Sequence, residues 1–330
     1  METAKITKNI ETVSYNLSAL QKKDTSISER TLAHIDEAAR ELASLIPSEG
    51  GSILENEDFL SAYYALVDRS FSVDQPLPSN VPKQTQGRLS ALKAEDAVNS
   101  AIFLCDAICK AKEKGGEPLK YSDFFAVNPE SSEGEKIAYL RNPYSDTAFL
   151  IFSEVIKNAS VSYPRDFAGV CEEVYYGRCR YCILPVETSD EGALSGFRRL
   201  IAKYELCPIL SCPVSTAGGS QTTEFALFAK NIEFPDLEKG KSVRKNREIL
   251  SFRLNAPSEM SFNKTIRALH LYGLRLLKID SSPVAWDEGH YSFEITAECG
   301  GSSLTSALLY LTLEIPEYSP IGYYTQITLP

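Results

Sequence analysis

The chain has 330 residues, of which 43% are hydrophobic and 24% charged, with a net charge of −10 and a pI near 5.0. This composition is that of a globular protein with an ample core, and the length predicts two or three domains. The acidity argues against a phosphate backbone or an anionic membrane surface as the main partner. No apolar run reaches the ~20 residues a bilayer needs. The opening METAKITKNIETVSYN lacks the apolar stretch of a secretion signal, so a cytoplasmic protein is expected.

Residues 1 to 127 read as a helical domain. Ser26-Ile-Ser-Glu29 has the form of a capping box. Leu32, Ile35, Ala39, Leu42 and Leu45 follow at helical spacing, and Pro47 with Gly50-Gly51 ends that helix. Phe59, Tyr63, Leu66 and Val67 mark a second helix. The proline-rich stretch Asp74 to Gln84 reads as a loop. A third, longer helix carries Val98, Ile102, Cys105, Ile108 and Cys109, and ends in Lys110, Lys112 and Lys114 before Gly115-Gly116. Cations followed by glycine suit a helix C-terminus.

Asn128 to Glu135 is polar and reads as a linker. After it strands and helices alternate. Strands are expected over 136–140, 181–186, 206–213 and 224–230, and helices over 147–156, 167–177 and 192–203. This alternation over 136–232 predicts an α/β domain with a mostly parallel sheet. A charged loop, Asp236 to Arg247, precedes a last unit over 248–330. There strands over 249–254, 274–279, 291–298 and 321–327 and helices at 262–271 and around Leu304, Leu308 and Leu311 give the order βαββαβ, the ferredoxin-like pattern.

Eight cysteines are expected to be reduced and mostly buried. Cys179-Arg-Tyr-Cys182 has metal-like spacing. Three positions apart on a strand, however, the two thiols would face opposite sides, so no metal or cofactor is expected. His34, His270 and His290 lie far apart and form no ligand set.

Residues 174–192, V-Y-Y-G-R-C-R-Y-C-I-L-P-V-E-T-S-D-E-G, resemble the signature of prephenate dehydratases: a helix ending in Gly, a strand, then Pro-[Ile/Val]-Glu-Asn-Ser-x-x-Gly. The match falls on Pro185, Val186, Glu187, Thr188, Ser189 and Gly192. Read as a strand running into a helix N-terminus, this turn would offer N–H groups and hydroxyls to an anion. Thr188 and Ser189 fit helix capping equally well. Lys136-Ile-Ala-Tyr-Leu140 resembles the family's opening strand, and Phe197 to Leu206 its next helix and strand. Thr223-Glu224-Phe225 falls on its Thr-Arg-Phe. Residues 249–324 resemble the ACT domain that follows in such proteins. Gly273-Leu-Arg-Leu-Leu-Lys-Ile-Asp-Ser-Ser-Pro283 parallels Gly-Ile-Asn-Leu-Thr-Lys-Ile-Glu-Ser-Arg-Pro, and Ile321-Gly-Tyr-Tyr324 parallels Leu-Gly-Ser-Tyr.

The resemblance implies a multidomain α and α/β protein. It would have a helical domain where some relatives carry chorismate mutase, one α/β lobe of the periplasmic-binding-protein kind, and a ferredoxin-like ACT domain that dimerises. It implies Thr223 as proton donor. Glu187, Thr188, Ser189, Arg141 and Phe225 would be substrate-binding residues, and Met260, Ser261, Phe262, Asp280 and Ser281 the ACT ligand site.

The sequence also departs from the family. Its second catalytic lobe belongs where only Ser215 to Gln221 lie here, and a lobe needs ~50 residues. The family's Arg is Glu224, which repels a dianion such as prephenate. Its Gly-Pro-x-Gly loop is Arg141-Asn-Pro-Tyr144, and its Gly-Ala-Leu turn falls on Met260, Ser261 and Phe262. A degenerate homodimer that binds a small carboxylate or an aromatic amino acid is therefore expected. The alternatives are an active dehydratase whose cleft residues 1–127 complete, through cations such as Arg69 or Arg88, possessing or lacking mutase activity, and a purely structural dimerisation module.

Overall fold

Apolar spacing in the N-terminal third produces helices with one buried stripe each. They are α1 (Glu29–Leu45), α2 (Glu57–Phe71) and α3 (101–114). Ala39 and Leu42 of α1, Phe59, Tyr63 and Leu66 of α2, and Ile102, Cys105 and Ile108 of α3 are buried. The structure, a computed structural model, describes residues 29–46, 53–71, 99, 101–125, 135–156, 158–215, 221–232, 246–284, 291–300 and 303–327. The expected Ser26 capping box, the Pro47 stop and the 74–84 loop lie outside these residues, as do Arg88 and the side chains of His34 and Arg69.

The chain forms two compact units. The first joins Met1–Phe125 to Ser258–Gly273 and Gly301–Pro316, and the second holds Ala126–Pro257, Leu274–Gly300 and Glu317–Pro330. The first unit therefore also contains α7 (Glu259–Leu271) and α8 (Leu304–Glu314). Side chains of the N-terminal helices bond to both. Tyr63 Oη donates to Glu314 Oε1 at 2.8 Å and Tyr64 Oη to Leu313 O at 2.9 Å. Tyr272 Oη donates to Ile102 O at 2.8 Å, and Ser306 Oγ to Asp106 Oδ1 at 3.2 Å.

The second unit is built on a ten-stranded sheet. Its elements are β1 (Lys136–Ala138), α4 (Pro143–Ser153), β2 (Ser160–Ser162), α5 (Phe167–Tyr175), β3 (Tyr181–Thr188), β4 (Gly192–Ala193), α6 (Ser195–Lys203), β5 (Cys207–Ser215) and β6 (Thr222–Ala229). The C-terminal segment adds β7 (Asn246–Leu254), β8 (Leu274–Pro283), β9 (Tyr291–Cys299) and β10 (Tyr318–Ile327). With α7 and α8 these keep the expected order βαββαβ. The strand order is β2-β1-β3-β6-β5-β10-β7-β9-β8, with β4 paired to β3. Parallel pairing of Thr325 with Leu210 and Gln326 with Ser211 joins β10 to β5. The strands of 136–232 and those of the C-terminal segment thus share one sheet.

Several local expectations are corrected. The sheet is mixed rather than mostly parallel. Among the described residues only β1–β2, β1–β3 and β5–β10 run parallel; β5 and β6 pair antiparallel, since the six residues between them in sequence are too few for the crossover a parallel pair needs. Helix α4 begins at Pro143, not Thr147. Asn142 caps it by accepting from the backbone N–H of Tyr144 and Ser145 at 3.0 and 2.9 Å, and Pro143 fits the first helical position. Cys179 precedes β3, and its side chain shares one core cluster with those of Cys171 and Cys182 rather than facing away. Burial pushes the Cys179 thiol up to about 11. That cluster packs under α5 and α6. Ile137, Ile183, Phe225 and Leu227 line the other face with Ala148, Ile151 and Phe152 of α4. No described helix is long and apolar enough to cross a membrane.

Candidate functional site

Strand β1 lies between β2 and β3. The chain leaves β1 through α4 to reach β2, then returns through α5 to β3 on the other side. The two helices contribute to opposite core clusters. The carboxyl ends of β1 and β3 are therefore a topological switch point, the place where open α/β sheets leave a crevice. Arg141 and Asn142 follow β1 there, and Thr188 and Ser189 end β3. The Arg141 guanidinium is exposed and lies 5.4 Å from the Tyr163 ring centroid. Tyr163 stands 3.3 Å from Tyr139 Oη, which donates to Asp146 Oδ1 at 3.0 Å.

The segment after β3 is not the helix N-terminus the sequence suggested. It is a tight β-hairpin in which Thr188 pairs with Gly192 and Glu187 with Ala193. Gly192 has φ +70, which a β-carbon disfavours. Helix α6 starts only at Ser195, with Leu194 at its cap position and no side-chain cap. Thr188 and Ser189 hence hold the hairpin instead. Thr188 Oγ1 accepts from Glu191 N at 3.2 Å, and Ser189 Oγ accepts from Thr222 N at 3.2 Å while donating to Asp190 Oδ1 at 2.9 Å.

Strand pairing sets the rest. Thr188 sits directly opposite Thr223, and Glu187 opposite Glu224. Alternation on β6 places Thr223 and Phe225 on one face and Glu224 on the other, and the Phe225 ring is buried in the core. Glu224 Oε1 accepts from Gln326 Nε2 at 3.0 Å. Burial pushes the Glu224 carboxyl up, hydrogen bonds from Gln326 and Ser211 pull it back, and Glu187 raises it further. The Tyr324 hydroxyl is pushed up first by burial and then by Glu224, Glu294 and Glu187.

Cations reach this face from α6 and β8. Lys278 Nζ lies 2.9 Å from Glu187 Oε2 and 3.5 Å from Asp280 Oδ2. Arg198 bonds Asp280 and lies 3.7 Å from Glu294 Oε1, which itself is near Arg253. The structure thus brings Thr188, Ser189 and Thr223 together at one end of β3 and β6, sets Glu187 on the face of Glu224, and links Glu187 to Asp280 through the Lys278 side chain. Ser281 pairs with Phe293 on β9. Met260, Ser261 and Phe262 form the first turn of α7 in the first unit, where Met260 is 60% exposed and Ser258 Oγ accepts from Ser261 N at 3.0 Å.

Sequence reading assigned no role to Arg198, Lys278, Ser211, Tyr324 or Gln326. The period of two puts Lys278 and Asp280 on one face of β8, a legible signal; their meeting with β3 and α6 is not local. Among the described residues no cluster of His, Cys, Asp and Glu could hold a metal ion.

No protein-family model matches the sequence, and no curated protein matches it. Among solved structures it is similar to the prephenate dehydratase of Streptococcus mutans, at 24% identity and a TM-score of 0.45, over 59% of this chain and 100% of that one. It is similar to the quorum-quenching acylase GqqA at 17% identity and a TM-score of 0.42, over 58% of this chain and 95% of that one. It is also similar to the Arthrobacter aurescens prephenate dehydratase solved with L-Phe, at 15% identity and a TM-score of 0.42, over 57% and 89% of the two chains. At these scores none of the likenesses assigns the chain a fold or an activity.

Proposed function

We propose that the protein is a prephenate-dehydratase-like relative in aromatic amino-acid metabolism that does not carry out the dehydration. It binds a small carboxylate at the β1–β3 crevice and acts as a regulatory homodimer. The observation that carries this reading is Glu224. Where the resemblance expects an Arg, a carboxylate stands directly opposite a second carboxylate, Glu187. A dianion brought there meets repulsion in a partly buried setting, where charge interactions are strong. The nearby cations Arg198 and Lys278 already face Asp280 and Glu187. Arg141, exposed at the switch point, is the cation placed for a monocarboxylate, and the Thr188 and Thr223 side chains lie on the neighbouring strand ends.

The homodimer is proposed through the C-terminal strands. The β10 edge is already taken by β5, which leaves β8 as the outer strand among the C-terminal strands, with β2 at the sheet's other end. Light scattering should give about twice the chain mass of 36.5 kDa.

Purified protein incubated with prephenate at neutral pH is expected to form no phenylpyruvate above a protein-free control. Phenylalanine or phenylpyruvate is expected to raise the melting temperature, and Arg141→Ala to remove that shift. Product formation that Thr223→Val abolishes would overturn the reading and establish an active dehydratase.

A further inference from the structure

Strand β8 ends the described sheet, six pairing steps from β3 in the order β3-β6-β5-β10-β7-β9-β8. In a flat sheet, steps of ≈ 4.7–4.9 Å would hold such strands far apart. Instead Lys278 of β8 reaches Glu187 of β3 at 2.9 Å, and Asp280 of β8 bonds Arg198 of α6. Accumulated strand twist rolls the sheet until its last strand faces the β3–β4 hairpin. Among the described residues no strand pairing joins β8 to β3 or β4, so this seam is closed by side chains rather than by a backbone ladder.

The seam is built of partly exposed charges. Lys278 and Glu187 keep 35% and 47% of their side-chain surface, and Arg198 and Asp280 keep 38% and 28%. Ion pairs of that kind are individually weak and are screened by salt. The β8–β9 ladder also carries a bulge at Leu276–Lys278, beside the residue that makes the contact.

We propose that Lys278–Glu187 and Arg198–Asp280 form an ionic latch that holds edge strand β8 against the β3–β4 hairpin and α6 and opens as ionic strength rises. The latch supplies from within the chain the cation that Glu187 faces, so its half-exposed carboxylate stands without that cation only when β8 lifts. Glu187 is the one residue shared with the proposed carboxylate site, and the test below needs neither activity nor ligand, so the two readings fail separately.

Hydrogen–deuterium exchange of the full chain, read by mass spectrometry at about 0.05 M and about 1 M sodium chloride, tests the latch. The peptide spanning 274–283 is expected to exchange about fivefold faster at high salt, while that spanning 167–175 is unchanged. Lys278→Met should exchange fast at both salts. The reciprocal pair Glu187→Lys with Lys278→Glu should restore slow exchange at low salt, a rescue that a merely destabilised fold does not give. The latch is refuted if the native 274–283 peptide ignores salt, if Lys278→Met keeps the salt response, or if the reversed pair stays fast. Should Lys278→Met fail to fold, the native salt response decides alone.

Discussion

Glu224 shows how a single side chain carries information that its neighbours in sequence do not. Its carboxyl holds the proton more tightly in the folded state than in the unfolded chain, chiefly because burial penalises the charge. A folded value above the unfolded one means that stability falls as pH rises through the carboxylate range, and is recovered in acid. Glu224→Gln removes that titration and keeps an oxygen for the Gln326 bond. The variant is therefore expected to gain in melting temperature over the native protein as pH rises above about 4, the difference levelling off once the folded carboxyl has ionised. A constant difference across that range would show that Glu224 titrates normally. At this scale the sequence was informative about identity and silent about direction. The resemblance selected Thr223, Glu224 and Phe225 together, yet Phe225 is a core residue on the opposite side of β6 from Glu224. A period of two makes adjacent residues of one motif belong to different surfaces.

At the scale of elements, short polar signals decided boundaries that apolar spacing misplaced. Asn142-Pro143 falls on a loop of the resembled family, but Asn at the cap and Pro at the first position start α4. Asn142→Ala is expected to cost about 1 kcal/mol in denaturant unfolding, since two N–H groups of the first turn lose their acceptor. The hairpin at 188–192 differs from the sequence expectation for the reverse reason. A Ser and a Gly before a helical pattern suit a cap, but Leu194 occupies that position and the Gly serves a turn. In the sequence Gly322 stands out only within the Ile-Gly-Tyr-Tyr resemblance. Its role appears in the junction of β10 with β5, where an added β-carbon would stand 2.8 Å from the Pro208 ring. Gly322→Ala should destabilise by about 1–3 kcal/mol through overpacking. The loss should appear as a lower denaturant midpoint with the slope unchanged.

At the scale of the molecule the chain crosses between units at each end of α7 and of α8. These helices follow the C-terminal strands in sequence but bond to the N-terminal helices in space. Tyr272 reaches Ile102, Arg267 reaches Asn99, and Glu314 receives Tyr63. A fragment beginning at residue 126 leaves α7 and α8 without these partners. It is expected to be poorly soluble, or to melt at least about 4 °C below the full chain. An equally stable fragment would mean that the N-terminal helices contribute nothing to the remainder. Buried Tyr63 is the point to probe within the whole chain. Tyr63→Phe removes the hydroxyl between Cys105 and Glu314 and should cost about 1–3 kcal/mol.

The sequence by itself determined the apolar stripes of α1 to α3 and the order βαββαβ of the C-terminal segment. Each follows from local rules: apolar period and turn residues. Only the tertiary structure decided that β5 and β10 join two segments into one sheet, that the sheet rolls until Lys278 meets Glu187, and that α7 and α8 belong with the N-terminal helices. Strand partnership and sheet curvature arise from packing among residues far apart in the chain, and no local period in the sequence encodes them.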